Sequence, residues 1–85
     1  MFQIKFKASA QKRFLKLPLD KQKRIVTKLE FYLSQQNPLV FAEVLTNTKI
    51  GKYRFRVGSY RIVFDIGYEN IIMILDVDHR KDIYR

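Results

Sequence analysis

The dipeptide Gly58-Ser59 lies between two runs that alternate apolar and polar residues, Lys52 to Val57 and Tyr60 to Ile66. Period-two alternation marks a half-buried strand, and a two-residue turn opening on glycine joins two such strands into a tight antiparallel hairpin. The turn sets the register, so partners can be counted outward from it. Val57 then faces Tyr60, Phe55 faces Ile62, and Tyr53 faces Phe64. One side of this hairpin is wholly apolar and has to be covered. The other side sets Arg56 against Arg61, Arg54 against Val63, and Lys52 against Asp65.

The rest of the chain supplies the cover. Phe2 to Lys7 alternates apolar residues with Gln3, Lys5 and Lys7, as a strand does. Ser9 offers an N-cap for a short helix carrying Ala10, Phe14 and Leu17. Pro18 then fits the first turn of a second helix, and Asp20 suits the positive end of its dipole. In that helix Ile25, Val26, Leu29, Tyr32 and Leu33 form one apolar stripe. Lys21, Lys23, Arg24 and Lys28 lie largely outside the stripe, as a solvated face does, and Asn37-Pro38 closes the helix.

Between Leu39 and Gly51 the pattern allows a short helical turn around Val40 to Leu45, then a loop. Gly67 to Asn70 reads as a second turn and Ile71 to Val77 as a third strand of the C-terminal half. A four-residue loop there places Ile66 opposite Ile71 and Arg61 opposite Asp76. The order is β-α-α-β-β-β. The expected fold is α+β, with two N-terminal helices on a mainly antiparallel four-stranded sheet, and residues 1–85 forming a single domain.

Composition narrows the function. The 85 residues are 47% hydrophobic, enough for one small core and too few for a two-domain enzyme. There is no cysteine, so disulfides and thiolate metal sites are excluded. The longest apolar run, Ile71 to Leu75, is far short of the roughly 20 residues that span a bilayer. The N-terminal alternation is unlike a signal peptide, so a soluble, cytoplasmic protein with no membrane partner is expected. Seventeen Lys and Arg against eight Asp and Glu leave a net charge of +9, which points to a polyanionic partner.

The hairpin concentrates that charge. Directly opposed arginines destabilise a strand pair by up to about 1 kcal/mol. An anion shared between two guanidinium forks reverses the sign. Arg54, Arg56 and Arg61 therefore read as a floor that binds phosphate. A structural ion pair with Asp76 is the competing explanation for Arg61, although it leaves Arg54 and Arg56 unexplained. The segment from Val77 to Arg85 adds His79, Arg80, Lys81, Tyr84 and Arg85, all suited to a phosphodiester. A surface histidine and a tyrosine packed on the sheet edge are the plainer readings of His79 and Tyr84. Asp76 and Asp78 make a poor metal site, since arginines and no second histidine lie beside them, and no metal or cofactor is expected.

Gly51-Lys52-Tyr53-Arg54-Phe55-Arg56-Val57-Gly58-Ser59-Tyr60-Arg61-Ile62-Val63-Phe64 and Asp78-His79-Arg80-Lys81-Asp82-Ile83-Tyr84-Arg85 together resemble the RelE/ParE toxin superfamily. Phe14-Leu15-Lys16-Leu17-Pro18 with the basic helix after it is similar too. The resemblance spans nearly the whole chain. It implies a toxin of a type II toxin-antitoxin system whose RelE branch cleaves mRNA in the ribosomal A site without a metal. It also implies an antitoxin that wraps the toxin, with operator DNA bound only through the pair. Arg61 matches the family arginine that stabilises the phosphate. Arg80 matches the proposed general acid or charge stabiliser, and Tyr84 the tyrosine that stacks on the nucleotide. Lys81 and Arg85 join Arg54 and Arg56 as phosphate-binding cations.

Arg54 and Arg56 stand where the best-studied member carries lysines. An arginine, with a pKa above about 12, does not act as a base. That leaves Lys52, of the same strand parity, and His79, of suitable ordinary pKa, as candidates for the base. The expected reaction is attack of an RNA 2′-hydroxyl on the neighbouring phosphate, with the ribosome holding the mRNA and the basic helix gripping ribosomal RNA. A ParE-like gyrase poison without nuclease chemistry is the alternative. A plain nucleic-acid-binding module is a third, with no helix-turn-helix signature to support it. Val63, Ile72 and Ile74 are expected as an exposed apolar patch on the arginine face, where an acidic antitoxin would sit.

Overall fold

In the computed structural model, which describes residues 2–46 and 50–79, the hairpin is the centre of the sheet. The elements run β1 (Gln3–Phe6), α1 (Ala8–Leu15), α2 (Leu19–Ser34), β2 (Glu43–Val44), β3 (Tyr53–Val57), β4 (Tyr60–Ile66) and β5 (Ile71–His79). A short 3₁₀ turn at Pro38–Phe41 and a tight reversal at Tyr68–Asn70 link them. Among the described residues the sheet has five strands, in the order β1-β5-β4-β3-β2. The α+β class stands. The expected four strands become five because β2, with Glu43 opposite Arg54 and Val44 opposite Tyr53, joins the outer edge. Two residues are too few to leave a period-two signature.

The hairpin pairs as counted from its turn: Val57 with Tyr60, Arg56 with Arg61, Phe55 with Ile62, Arg54 with Val63, and Tyr53 with Phe64. Gly58 takes φ 61°, a left-handed conformation that glycine adopts without a Cβ clash. The next reversal departs from expectation. Glu69 and Asn70 are both left-handed, at φ 57° and 60°, and Ile66 pairs with Ile72 rather than Ile71. A bulge at Val63/Phe64 then adds a second one-residue shift. Arg61 consequently lies opposite Asp78, and Asp76 opposite Val63.

The helices also differ in detail. Ser9 lies inside the first turn of α1, and Lys7 is the N-cap, with no side-chain bond. Pro18 is the N-cap of α2; its carbonyl accepts from the Lys21 and Gln22 amides at 2.9 and 3.0 Å. The helix ends at Ser34, before Asn37-Pro38. Ile25, Leu29 and Tyr32 of the predicted stripe are buried, while Val26 is exposed at its edge.

These faces meet in one core. Tyr32 stacks on Phe55 at 4.6 Å, and Phe55 on Phe64 at 4.4 Å, so one aromatic column ties α2 to both hairpin strands. Ile62, Ile72 and Ile74 are fully buried beside it. Burying each such side chain contributes about 1.5–3 kcal/mol relative to leaving it exposed. Ile72 and Ile74 therefore belong to the core and not to the arginine face, because the longer reversal flips their parity. Val63 is on the arginine face but is covered: a Cβ on Gly51 would stand 2.7 Å from its Cγ1. The anticipated apolar patch does not exist. Exposed apolar side chains lie instead at Leu15, Leu19 and Val26 along the helices, and at Val40 and Val44 near the β2 edge.

Candidate active site

The sheet face turned away from the helices carries a row of charges, each placed by strand register. Glu43 on β2 lies across from Arg54 on β3, Arg56 across from Arg61 on β4, and Arg61 across from Asp78 on β5. Glu43 is the centre of its half. Arg54 Nη2 donates to Glu43 Oε2 at 2.8 Å, and Arg56 Nε to Oε1 at 2.7 Å. The hydrogen bond from Arg54 holds the Glu43 carboxyl below its ordinary range, and the charges of Arg54, Arg56 and Arg61 act in the same direction. Arg54 and Arg56 thus converge on one carboxylate, and Arg61 on the next strand adds its charge. Beside the Arg56–Arg61 opposition, the anion that bonds Arg56 is a side chain of the protein, Glu43.

The other half is anchored by α1. Arg13 Nη1 donates to Asp76 Oδ1 at 2.9 Å, and Arg13 Nη2 contacts Asp78 Oδ1. It can do so because β1 pairs only with Ile71 to Ile74, so that among the described residues the edge of β5 beyond the bulge carries no neighbouring strand on that side. Asp76 and Asp78 are thereby committed to Arg13. Arg61 is 5% exposed and Asp78 is 9% exposed, so this pair of positions is buried within the face. A guanidinium in so poorly hydrated a place interacts more strongly with an anion than one in open water.

The two candidate bases do not join this row. Lys52 shares its face, and its backbone N–H donates to Asp65 Oδ1 at 2.6 Å. It precedes Arg56 by four residues, roughly 13 Å along a strand. His79 lies across from Tyr60, with the two rings edge to face at 5.1 Å, and lines clefts with α2 residues. It is on the helix side, with the sheet between it and Arg61. Arg80, Lys81, Tyr84 and Arg85 lie outside the described residues.

Sequence reading missed Glu43 and Arg13, the two residues that hold the row in place. Glu43 had a faint signal: it is an isolated acidic residue in a segment between basic strands. Arg13 had none, since its partners are 63 and 65 positions away. Among the described residues, no cluster of three or more metal-ligating side chains occurs, and no helix is long and apolar enough to cross a membrane.

Comparison with known proteins agrees with the fold. A family model described as the ParE toxin of the type II toxin-antitoxin system parDE matches residues 4–84. The chain is 32% identical over 85 residues to Toxin RelG of Mycobacterium tuberculosis, covering 99% of this chain and 97% of that protein. It is also similar to a chain of the toxin-antitoxin complex RelBE2 from M. tuberculosis, with TM-score 0.74 and 29% identity over 93% of this chain and 98% of that one. The archaeal RelE-RelB complex from Pyrococcus horikoshii shares the fold, with TM-score 0.69 and 23% identity over 93% and 94% of the two chains.

Proposed function

The chain belongs to the RelE/ParE toxin superfamily of type II toxin-antitoxin systems, and we propose that it is an endoribonuclease cutting mRNA on the ribosome. The convergence of Arg54 and Arg56 on one carboxylate, with Arg61 directly across from Arg56, supports this reading. A site that already holds one oxyanion between guanidinium groups has the charge and donor geometry for a phosphate.

In the reaction, the RNA 2′-oxygen attacks the adjacent phosphorus and the 5′-oxygen of the next nucleotide leaves. The products are a 2′,3′-cyclic phosphate and a free 5′-hydroxyl. The nucleophile comes from the substrate, so the protein's task is to stabilise the charge that builds on the phosphorane oxygens. Arg61 is the principal donor, with Arg56 and Arg54 beside it and Arg80 as a further one. Tyr84 stacks on the nucleotide, while Lys81 and Arg85 hold flanking phosphates. Since Lys52 and His79 both stand away from Arg61, the chain acts mainly by phosphate stabilisation, and the ribosome orients the 2′-hydroxyl. Glu43 withdraws from Arg56 when the phosphate enters.

An acidic antitoxin neutralises the toxin. The net charge of +9, and the fact that two similar structures are toxin-antitoxin complexes, support this. The match to a model named for ParE favours one second reading, inhibition of DNA gyrase. Purified protein added to ribosomes programmed with mRNA distinguishes the two. Primer extension should show cuts within the A-site codon. Toxicity without any cut, accompanied by gyrase inhibition, refutes the nuclease reading.

A further inference from the structure

On the helix side of the sheet, where β3 turns into β4 and β5 ends, the Tyr60–His79 ring pair separates two clefts. One, of 140 Å³, lies between the hairpin turn and the start of α2, with Lys21, Arg24 and Ser59 in its wall. The other, of 310 Å³, lies against the end of α1, with Lys16 and Leu17 in its wall. The proposed cleavage of mRNA uses neither.

The Arg24 guanidinium lies close to the hairpin turn at the mouth of the smaller cleft. A methyl group on Gly58 would stand 3.3 Å from its guanidinium carbon and 3.4 and 3.5 Å from its terminal nitrogens. Glycine at this position leaves the guanidinium room to lie close to the turn. Among the described residues no carboxylate pairs with Arg24 or Lys16, and Lys21 has only a loose pair with Asp20 at 3.7 Å. The same protein neutralises Arg13, Arg54 and Arg56 with well-placed carboxylates. The cations of the clefts are therefore left with charge to spare, beside two aromatic rings.

We propose that these clefts bind one nucleotide unit of single-stranded RNA. Its phosphate lies between Lys21 and Arg24, in the cleft sized for a small anion. Its base enters the larger cleft, against the Tyr60–His79 wall and Leu17. A volume of about 300 Å³ is at the lower end of what small-molecule sites provide, enough for one base and too small for a folded partner. Cation-plus-ring surfaces of this kind take single strands because every base has a face to stack. An acidic protein segment would use the cations and leave the rings idle. The hairpin tip separates this site from Arg56 and Arg61 by one strand's thickness, so a strand passing over the tip reaches both. That continuity rests on the cleavage reading, whereas binding in the clefts does not.

The test is fluorescence anisotropy of a labelled short single-stranded RNA with the full chain, and with Arg24→Gln and Lys16→Gln. Both side chains lie at the surface, and thermal melts check that the variants fold. Each substitution should weaken binding about tenfold, and Arg24→Gln, which removes a phosphate contact, should also lower the slope of log K against log[salt] by about one. The same variants are titrated against vacant ribosomes. Loss on the free RNA marks mRNA as the source of the nucleotide. Loss on the ribosome alone marks ribosomal RNA. Unchanged binding in both titrations overturns the proposal. A wild-type chain that binds RNA through Arg24 but cuts no mRNA would refute the cleavage reading and leave the cleft site standing.

Discussion

Arg61→Ala is the most informative substitution, and the structure changes what it should do. Strand parity alone would send the side chain into solvent, so that its loss would spare the fold. Arg61 is instead buried, opposite a buried Asp78. Stranding a buried carboxylate outright costs about 3–5 kcal/mol. Asp78 keeps Arg13, so that full penalty does not apply. The packed stem alone, two methylenes at about 0.8 kcal/mol each, comes close to 2 kcal/mol with the gap they leave, and the interaction of the guanidinium adds to that loss. For a domain of this size that lowers Tm by about 8–16 °C. Arg61→Lys keeps the stem and the charge but loses the planar fork, and should cost less than about 1 kcal/mol. On ribosomes, both variants should cleave about 10²–10³-fold more slowly. The assay is thermal unfolding by circular dichroism, followed by cleavage at a temperature where all forms are folded. An Arg61→Ala protein that melts like wild type refutes the burial argument. An Arg61→Lys protein that cleaves at the wild-type rate refutes bidentate phosphate stabilisation.

Glu43→Gln removes the internal anion and should strengthen binding of inorganic phosphate or RNA at the arginine face several-fold; weaker binding would show that Glu43 shapes the site rather than occupies it. The Glu43 carboxyl is depressed in the folded chain, so its contribution to stability is present above the ordinary carboxylate range and is lost as pH falls through its folded value. The stability of Glu43→Gln and wild type, compared by urea titration, should therefore converge as the buffer is made more acidic. Gly51→Ala should destabilise by about 1–3 kcal/mol, because its Cβ would meet Val63 at 2.7 Å and Leu75 at 3.1 Å; an unchanged urea midpoint would mean the loop simply moves. Lys52→Ala and His79→Ala should each leave ribosomal cleavage within about tenfold of wild type, less than the 10²–10⁴ that a general base contributes.

The parts legible in the sequence are those fixed by counting over short distances. Gly58-Ser59 fixes a turn, the turn fixes a register, and period two assigns each side chain of Tyr53 to Phe64 to a face. The apolar face that carries Phe55 and Phe64 and the Arg56–Arg61 opposition follow from that count alone, whereas the stacking of Tyr32 on Phe55 needs the packing of α2. The same counting failed after Gly67, where a reversal one residue longer than expected moved Ile72 and Ile74 into the core. It failed again at the bulge, whose one-residue shift adds to that of the reversal; together they move Arg61 from Asp76 to Asp78. Neither event has a signature in composition, because each is decided by which register best buries apolar surface from distant elements. Glu43, Arg13 and the burial of Arg61 lie further beyond reach. A two-residue strand has no period, and an ion pair spanning more than sixty positions is a property of folded distance. The sequence determined which side chains could bind an anion; tertiary packing decided that Glu43 would be the anion they hold.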